Sequence, residues 1–177
     1  MAATDRQPTG EDAPLVVVMG VAGAGKTTIG RMVAGRLGVP YADADDFHPP
    51  ENIAKMTAGT PLDDEDRRPW LAALGQWLAE HSADGGVVSC SALKRRYRKQ
   101  LSEAAPGAFF LHLDGSADVI AQRMAHRKGH FMPPSLLRSQ IADLQPLERD
   151  ERGAAVSIDG TPEQTTDLAL DALRRAG

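Results

Sequence analysis

The sequence predicts an α/β protein with a five-stranded parallel sheet between helices. Three observations carry that expectation. Short apolar runs alternate along the chain with stretches of helical spacing. The first run, residues 15–19 (LVVVM), is uninterrupted, as in a strand buried on both faces of a parallel sheet. Glycines, prolines and capping residues punctuate the boundaries between them.

Taken in order, residues 1–13 are polar, lack the apolar core of a signal peptide, and read as a flexible tail before a single domain over 14–177. After the 15–19 strand and a glycine-rich turn, residues 26–37 carry Ile29, Val33 and Leu37 at helical spacing, closed by Gly38. Residues 39–42 make a short second strand. The stretch 43–69 is polar and broken by Pro49, Pro50, Gly59 and Pro61, with a short helix expected at 52–57. Pro69 is expected in the first turn of the next helix, where proline is tolerated; Trp70, Leu71, Leu74, Trp77 and Leu78 share one side of it. Strand 87–91, a basic helix over 93–103, strand 108–113 and a helix over 116–127 capped by Ser116 follow. Residues 128–134 hold two prolines and a glycine and read as a loop, with a lid expected at about 123–134. A helix over 135–145, strand 154–158 and a last helix complete the chain. Thr161 caps that helix, Pro162 takes its first position, and Gln164 completes a capping box.

Composition narrows the function. A chain of 177 residues suits one domain and buries about 70% of its unfolded surface. Twenty basic against twenty-four acidic residues, a net charge of −4, disfavour a nucleic-acid or anionic-membrane coat. No run of 18 apolar residues predicts a membrane span. One cysteine, Cys90, allows no internal disulfide and points to a reducing, cytoplasmic setting; within a strand it reads as a buried structural thiol.

Gly20, Val21, Ala22, Gly23, Ala24, Gly25, Lys26 and Thr27 fit G-x-x-x-x-G-K-[ST], followed by Thr28. Glycines let backbone N–H groups turn inward around phosphate oxygens, Lys26 reaches the β/γ-phosphates, and the Thr27 hydroxyl ligates Mg²⁺. A nucleotide site is expected, but GTPases, motor ATPases and small-molecule kinases share this loop. No apolar strand ends in the aspartate that P-loop ATPases use near the metal; the third gives Val87-Val88-Ser89-Cys90-Ser91 instead. Asp43 and Asp45 instead follow the second strand on one side of an extended segment, where one suits a metal-bound water and the other a hydroxyl to be deprotonated. Arg123 and Arg127, four apart, share a helix face beside the expected lid and suit a transferring phosphate. Residues 94–99 hold five cations in six positions, and Lys94 with Arg98 is read as one face meeting an anionic small molecule. His48, near Asp45, reads as a substrate contact, whereas His112 in a strand reads as packed.

With these residues in place the chain resembles the gluconate kinase (gluconokinase) family, relatives of shikimate kinase among the P-loop kinases. The resemblance runs from about residue 15 to the final helix. Beyond the phosphate loop it rests on Asp43-Ala44-Asp45-Asp46-Phe47-His48-Pro49, Asn52-Ile53-Ala54-Lys55-Met56, and the run from Gly59 through Arg67-Arg68-Pro69-Trp70-Leu71. Cys90-Ser91-Ala92-Leu93-Lys94 with Tyr97-Arg98, Arg127-Lys128-Gly129-His130-Phe131-Met132, and Ser139-Gln140 complete it. It implies a three-layer P-loop kinase fold with a lid. It also implies transfer of the ATP γ-phosphoryl group, with Mg²⁺, to the 6-hydroxyl of D-gluconate, giving 6-phospho-D-gluconate and ADP. By the same resemblance Asp43 stands on the metal side with Thr27, and Asp45 is the base for the sugar hydroxyl. Arg67 grips the substrate carboxylate; His48, Lys94, Arg98 and Gln140 contact the substrate; Arg123 and Arg127 belong to the lid. A homodimer is compatible with this reading, and no nucleic-acid or membrane partner is implied. A kinase for shikimate, a nucleoside monophosphate or another sugar acid, and a regulatory or RNA-binding module using residues 94–99, are the alternatives.

Overall fold

The computed structural model describes residues 14–21, 23–60, 62–125 and 134–176. Its strands are β1 (Leu15–Met19), β2 (Tyr41–Asp43), β3 (Gly86–Ser89), β4 (Phe109–Asp114) and β5 (Gly153–Ser157). They form one sheet in the order β2-β3-β1-β4-β5, and every pairing is parallel. The helices are α1 (Lys26–Leu37), α2 (Pro50–Thr57), α3 (Asp64–Glu80), α4 (Arg95–Ala104), α5 (Ala117–Ala125), α6 (Pro134–Asp143) and α7 (Pro162–Ala176).

Successive side chains of a strand face opposite ways, so the apolar run of β1 feeds two cores. Val16 and Val18 pack with Ile29 and Val33 of α1, Ile120 of α5 and Leu170 of α7. Leu15, Val17 and Met19 pack with Trp70, Leu71, Leu74 and Leu78 of α3 and with Tyr97 and Leu101 of α4. Three layers result. The connection after β1 runs past β3 to β2, whereas the connection after β3 crosses to β4 on the other side of β1, and this reversal opens a crevice at the strands' carboxyl ends. No helix among the described residues is long and apolar enough to cross a membrane.

Most element boundaries move by one or two residues, and three of the differences bear on the site. Strand β2 begins at Tyr41 rather than 39, because Pro40 lacks an N–H and contributes only its carbonyl, to Val87 N. Asp43 thereby becomes the last residue of the strand. Strand β3 stops at Ser89, two residues early. Helix α3 begins at Asp64, so Pro69 lies inside it rather than in its first turn. The cause is a capping box: the Asp63 carboxylate accepts the Asp66 N–H (2.8 Å) and Asp66 reaches back to the Asp63 N–H (3.0 Å). The Ser116 cap and the Thr161–Gln164 capping box form as expected. The tail at 1–13 lies outside the described residues, as does most of the expected lid.

Candidate active site

The phosphate loop joins β1 to α1 across the crevice. Gly23 (φ 85°) and Gly25 (φ 94°) take left-handed conformations that a side chain would strain. This wraps the loop around the first turn of α1. Lys26 Nζ lies back across it and donates to the carbonyls of Gly20 (2.9 Å) and Val21 (3.0 Å). Ala22 is outside the described residues; Ala24 packs into the core, and Thr28 follows Thr27 in α1. The helix is seated by a hydroxyl relay: Tyr41 Oη donates to Ser89 Oγ (2.9 Å), which donates to the Lys26 carbonyl (2.8 Å). Gly30 makes room for that relay, since a Cβ there would meet Ser89 Oγ at 2.6 Å and the Tyr41 ring at 2.7 Å. Strand β3 therefore ends in a loop-holding serine.

Thr27 Oγ1 lies 3.5 Å from Asp43 Oδ2, at the outer limit of a hydrogen bond. Two oxygen donors so placed, beside a phosphate loop, fit Mg²⁺, which keeps several waters and takes one or two protein oxygens plus phosphate. Asp43 Oδ1 accepts the Asp45 N–H (3.0 Å), which fixes the 3-10 turn (Ala44–Phe47) carrying Asp45. Asp45 is exposed at the mouth of the crevice, yet the protein around it still removes part of its hydration. That desolvation, and secondly the Asp43 charge, raise its pKa above the ordinary aspartate value.

Asp45 opens onto a cavity of about 760 Å³ beside the phosphate loop. His48, Arg67, Lys94 and Gln140 line it as well, so five of the six expected substrate residues share one chamber. His48 stacks on Trp70 (centroids 4.5 Å apart, planes 7° apart), and Trp70 is pinned by its indole N–H to the Ala44 carbonyl (2.6 Å). Burial lowers the His48 pKa, favouring the neutral ring. Its Nδ1 lies 3.3 Å from the Asn52 amide nitrogen; accepting there leaves Nε2 as a hydrogen-bond donor.

At another wall Arg67 and Lys94 meet Tyr97, Asp64 and Arg96, to which the sequence reading gave no separate role. Tyr97 Oη donates to Asp64 Oδ1 (2.6 Å) and accepts from Arg67 Nη1 (3.1 Å). Arg96 Nη2 pairs with Asp64 Oδ2 at 2.5 Å. Arg67, Lys94 and Arg96 all sit 5.6–5.8 Å from the Tyr97 ring centre. The available signal was the helical placement of Tyr97 on the buried face with Leu101. The partner Asp64 lies 33 positions away in sequence, beyond any local pattern.

The sixth expected contact, Arg98, is placed elsewhere. It is fully buried and chelates Glu151 (Nε to Oε1 2.7 Å, Nη2 to Oε2 3.1 Å). The expected shared face fails because Lys94 is the extended N-cap of α4 (φ −102°, ψ 141°), so the four-residue helical spacing does not start there. The basic run is also largely neutralised from within: Arg95 pairs with Glu148 and Asp150, Arg96 with Asp64, and Arg98 with Glu151. Cys90 is buried and its thiol is pushed up to about 12, as for a packed, unreactive group. His112 is likewise buried in β4. The Arg123 side chain and Arg127 fall outside the described residues.

A family model for shikimate kinase matches residues 22–159. A gluconokinase of Gluconobacter oxydans is 46% identical over 162 residues, covering 90% of this chain and 89% of its own. The crystal structure of a gluconokinase from Sinorhizobium meliloti superposes with a TM-score of 0.85 at 47% identity, covering 96% of this chain and 94% of that one. An unliganded sugar kinase from a Janibacter species superposes with a TM-score of 0.84 at 51% identity, covering 92% and 95%.

Proposed function

The chain belongs to the gluconate kinase (gluconokinase) family, and from that premise we propose that it transfers the γ-phosphoryl group of ATP to the 6-hydroxyl of D-gluconate. The observation that carries the reading is the single cavity shared by Asp45, beside the phosphate loop, and the cations Arg67 and Lys94. A linear polyhydroxy acid has an anionic end and a terminal hydroxyl, and this chamber offers a complement to each.

In this reading the substrate carboxylate lies against Arg67 and Lys94, with Tyr97 fixing the Arg67 guanidinium. His48 and Gln140 take hydroxyls along the chain. Asp45 receives the hydrogen bond of the terminal hydroxyl, orients its oxygen toward the γ-phosphorus and accepts its proton as the new P–O bond forms and ADP leaves. Lys26 turns from the Gly20 and Val21 carbonyls to the β/γ-phosphates. Thr27 and Asp43 would hold the Mg²⁺ that accompanies ATP, and that ion would neutralise phosphate charge. By their place in the sequence alone, Arg123 and Arg127 are assigned to the transferring phosphate. The enzyme works in the cytoplasm, consistent with its one buried thiol.

A coupled ADP-release assay with D-gluconate, shikimate and a nucleoside monophosphate as acceptors tests the assignment. D-Gluconate is expected to give the highest kcat/KM, and a preference for either other acceptor would overturn it. The RNA-binding alternative loses support from the internal pairing of Arg95, Arg96 and Arg98.

A further inference from the structure

Arg98 and Glu151 are an ion pair whose side chains are 1% and 10% exposed. Burying two charges costs about as much as their attraction returns, so such a pair contributes little net stability and chiefly fixes geometry. What it fixes here is specific. A guanidinium has five N–H donors, and each has an acceptor. Nε and Nη2 bind Glu151; Nη1 binds the carbonyls of Ala92 (2.9 Å) and Leu93 (3.3 Å); Nη2 also reaches Pro146 O (3.4 Å). Arg98 thus has no donor left for a substrate.

Ala92 and Leu93 belong to the 91–94 wall of the acceptor cavity. Ala92 has φ +44°, the left-handed conformation that a non-glycine residue keeps only when its surroundings impose it. Glu151 in turn belongs to the segment after α6, whose residues Ser139, Gln140 and Asp143 form the facing wall. Further bonds close the same seam. Gln145 N donates to Leu93 O (2.8 Å), Arg95 N to Gln145 Oε1 (2.7 Å), and Glu148 N to Glu151 Oε2 (2.8 Å).

We infer that the Arg98–Glu151 pair is a positioning device that holds the 91–94 wall in register with the α6 wall, so that Lys94 and Gln140 meet the same acceptor molecule. The inference rests on the reading of this cavity as the acceptor site. Arg98 acts through the backbone it holds and touches no substrate.

The test is steady-state kinetics with both substrates titrated, alongside thermal unfolding, on three variants. Arg98→Met combined with Glu151→Leu replaces the pair by apolar groups of similar size. Arg98→Lys keeps the charge and loses the fork. Gln145→Ala removes one exposed stitch of the seam with little risk to folding. For the first two, KM for gluconate is expected to rise at least about tenfold while KM for ATP stays within about twofold and the thermal midpoint changes by only a few degrees. For Gln145→Ala the expected rise is about threefold. An unchanged gluconate KM in folded variants would overturn the positioning role, and so would a fall in thermal midpoint with both KM values moving together. If the double variant does not fold, Gln145→Ala decides the question on the same criterion. The unaltered enzyme is the control: its own gluconate turnover tests the acceptor assignment, and only the variants test the pair.

Discussion

Asp45 sits where desolvation and the Asp43 charge both hold its carboxyl above the ordinary aspartate range. As a base it must be ionised, so turnover is expected to fall as pH drops through that raised value. Asp45→Asn is expected to lower kcat at least about 10²-fold and to abolish this acidic limb, with KM for ATP little changed. A pH–rate profile of both proteins checks this. The stability sign is opposite. The folded chain binds the Asp45 proton more tightly than the unfolded chain does, so ionised Asp45 costs stability above both pKa values, a cost that disappears as pH falls below them. The Asn variant should therefore melt slightly higher at neutral pH while working far more slowly. For Arg67→Ala, KM for gluconate should rise about 10- to 100-fold, the loss of a charged hydrogen bond, while KM for ATP holds. Equal weakening of both would contradict the carboxylate role. Much of this residue-level detail was legible in sequence, because the phosphate loop and the Asp43–Asp45 pair are short contiguous patterns. Arg98 was not, since the spacing of cations does not reveal which of them faces the core, and Glu151, 53 positions away, gave no local signal.

Among the elements, α1 and β3 act as one unit through Gly30, Ser89 and Tyr41. A methyl group at Gly30 has no room, and the displaced atoms hold the carbonyl of Lys26 itself. Gly30→Ala is expected to destabilise the fold by about 1–3 kcal/mol, a midpoint loss of about 2–12 °C, and to weaken nucleotide binding. Calorimetry and a nucleotide titration measure both, and an unchanged midpoint would mean that the relay yields freely. The strands and most helices were readable because both cores draw on simple apolar periodicities. The start of α3 was hidden because its signal is a pair of aspartates, Asp63 and Asp66, within a polar run that reads as loop.

At the scale of the whole molecule, ion pairs between residues far apart in sequence tie the elements together, and among the described residues Arg98–Glu151 is the most buried of them. Burial alone would raise the Glu151 carboxyl, but the Arg98 hydrogen bonds and the Glu148 N–H hold it below the usual range. A depressed folded pKa contributes stability above the unfolded value of about 4.3, and that contribution is lost as pH falls through the folded value. The thermal midpoint should thus drop in acid below about pH 4, and less steeply in the Arg98→Met, Glu151→Leu protein. The central claim concerns chemistry rather than stability: the phosphoryl group goes to the terminal hydroxyl of a sugar acid. It is tested most directly by incubating the purified enzyme with ATP, Mg²⁺ and D-gluconate and locating the phosphate in the product by phosphorus–carbon coupling in NMR. The account predicts a single product phosphorylated at C6, formed with stoichiometric ADP; phosphate at another oxygen, or no phosphorylated sugar acid at all, would contradict it.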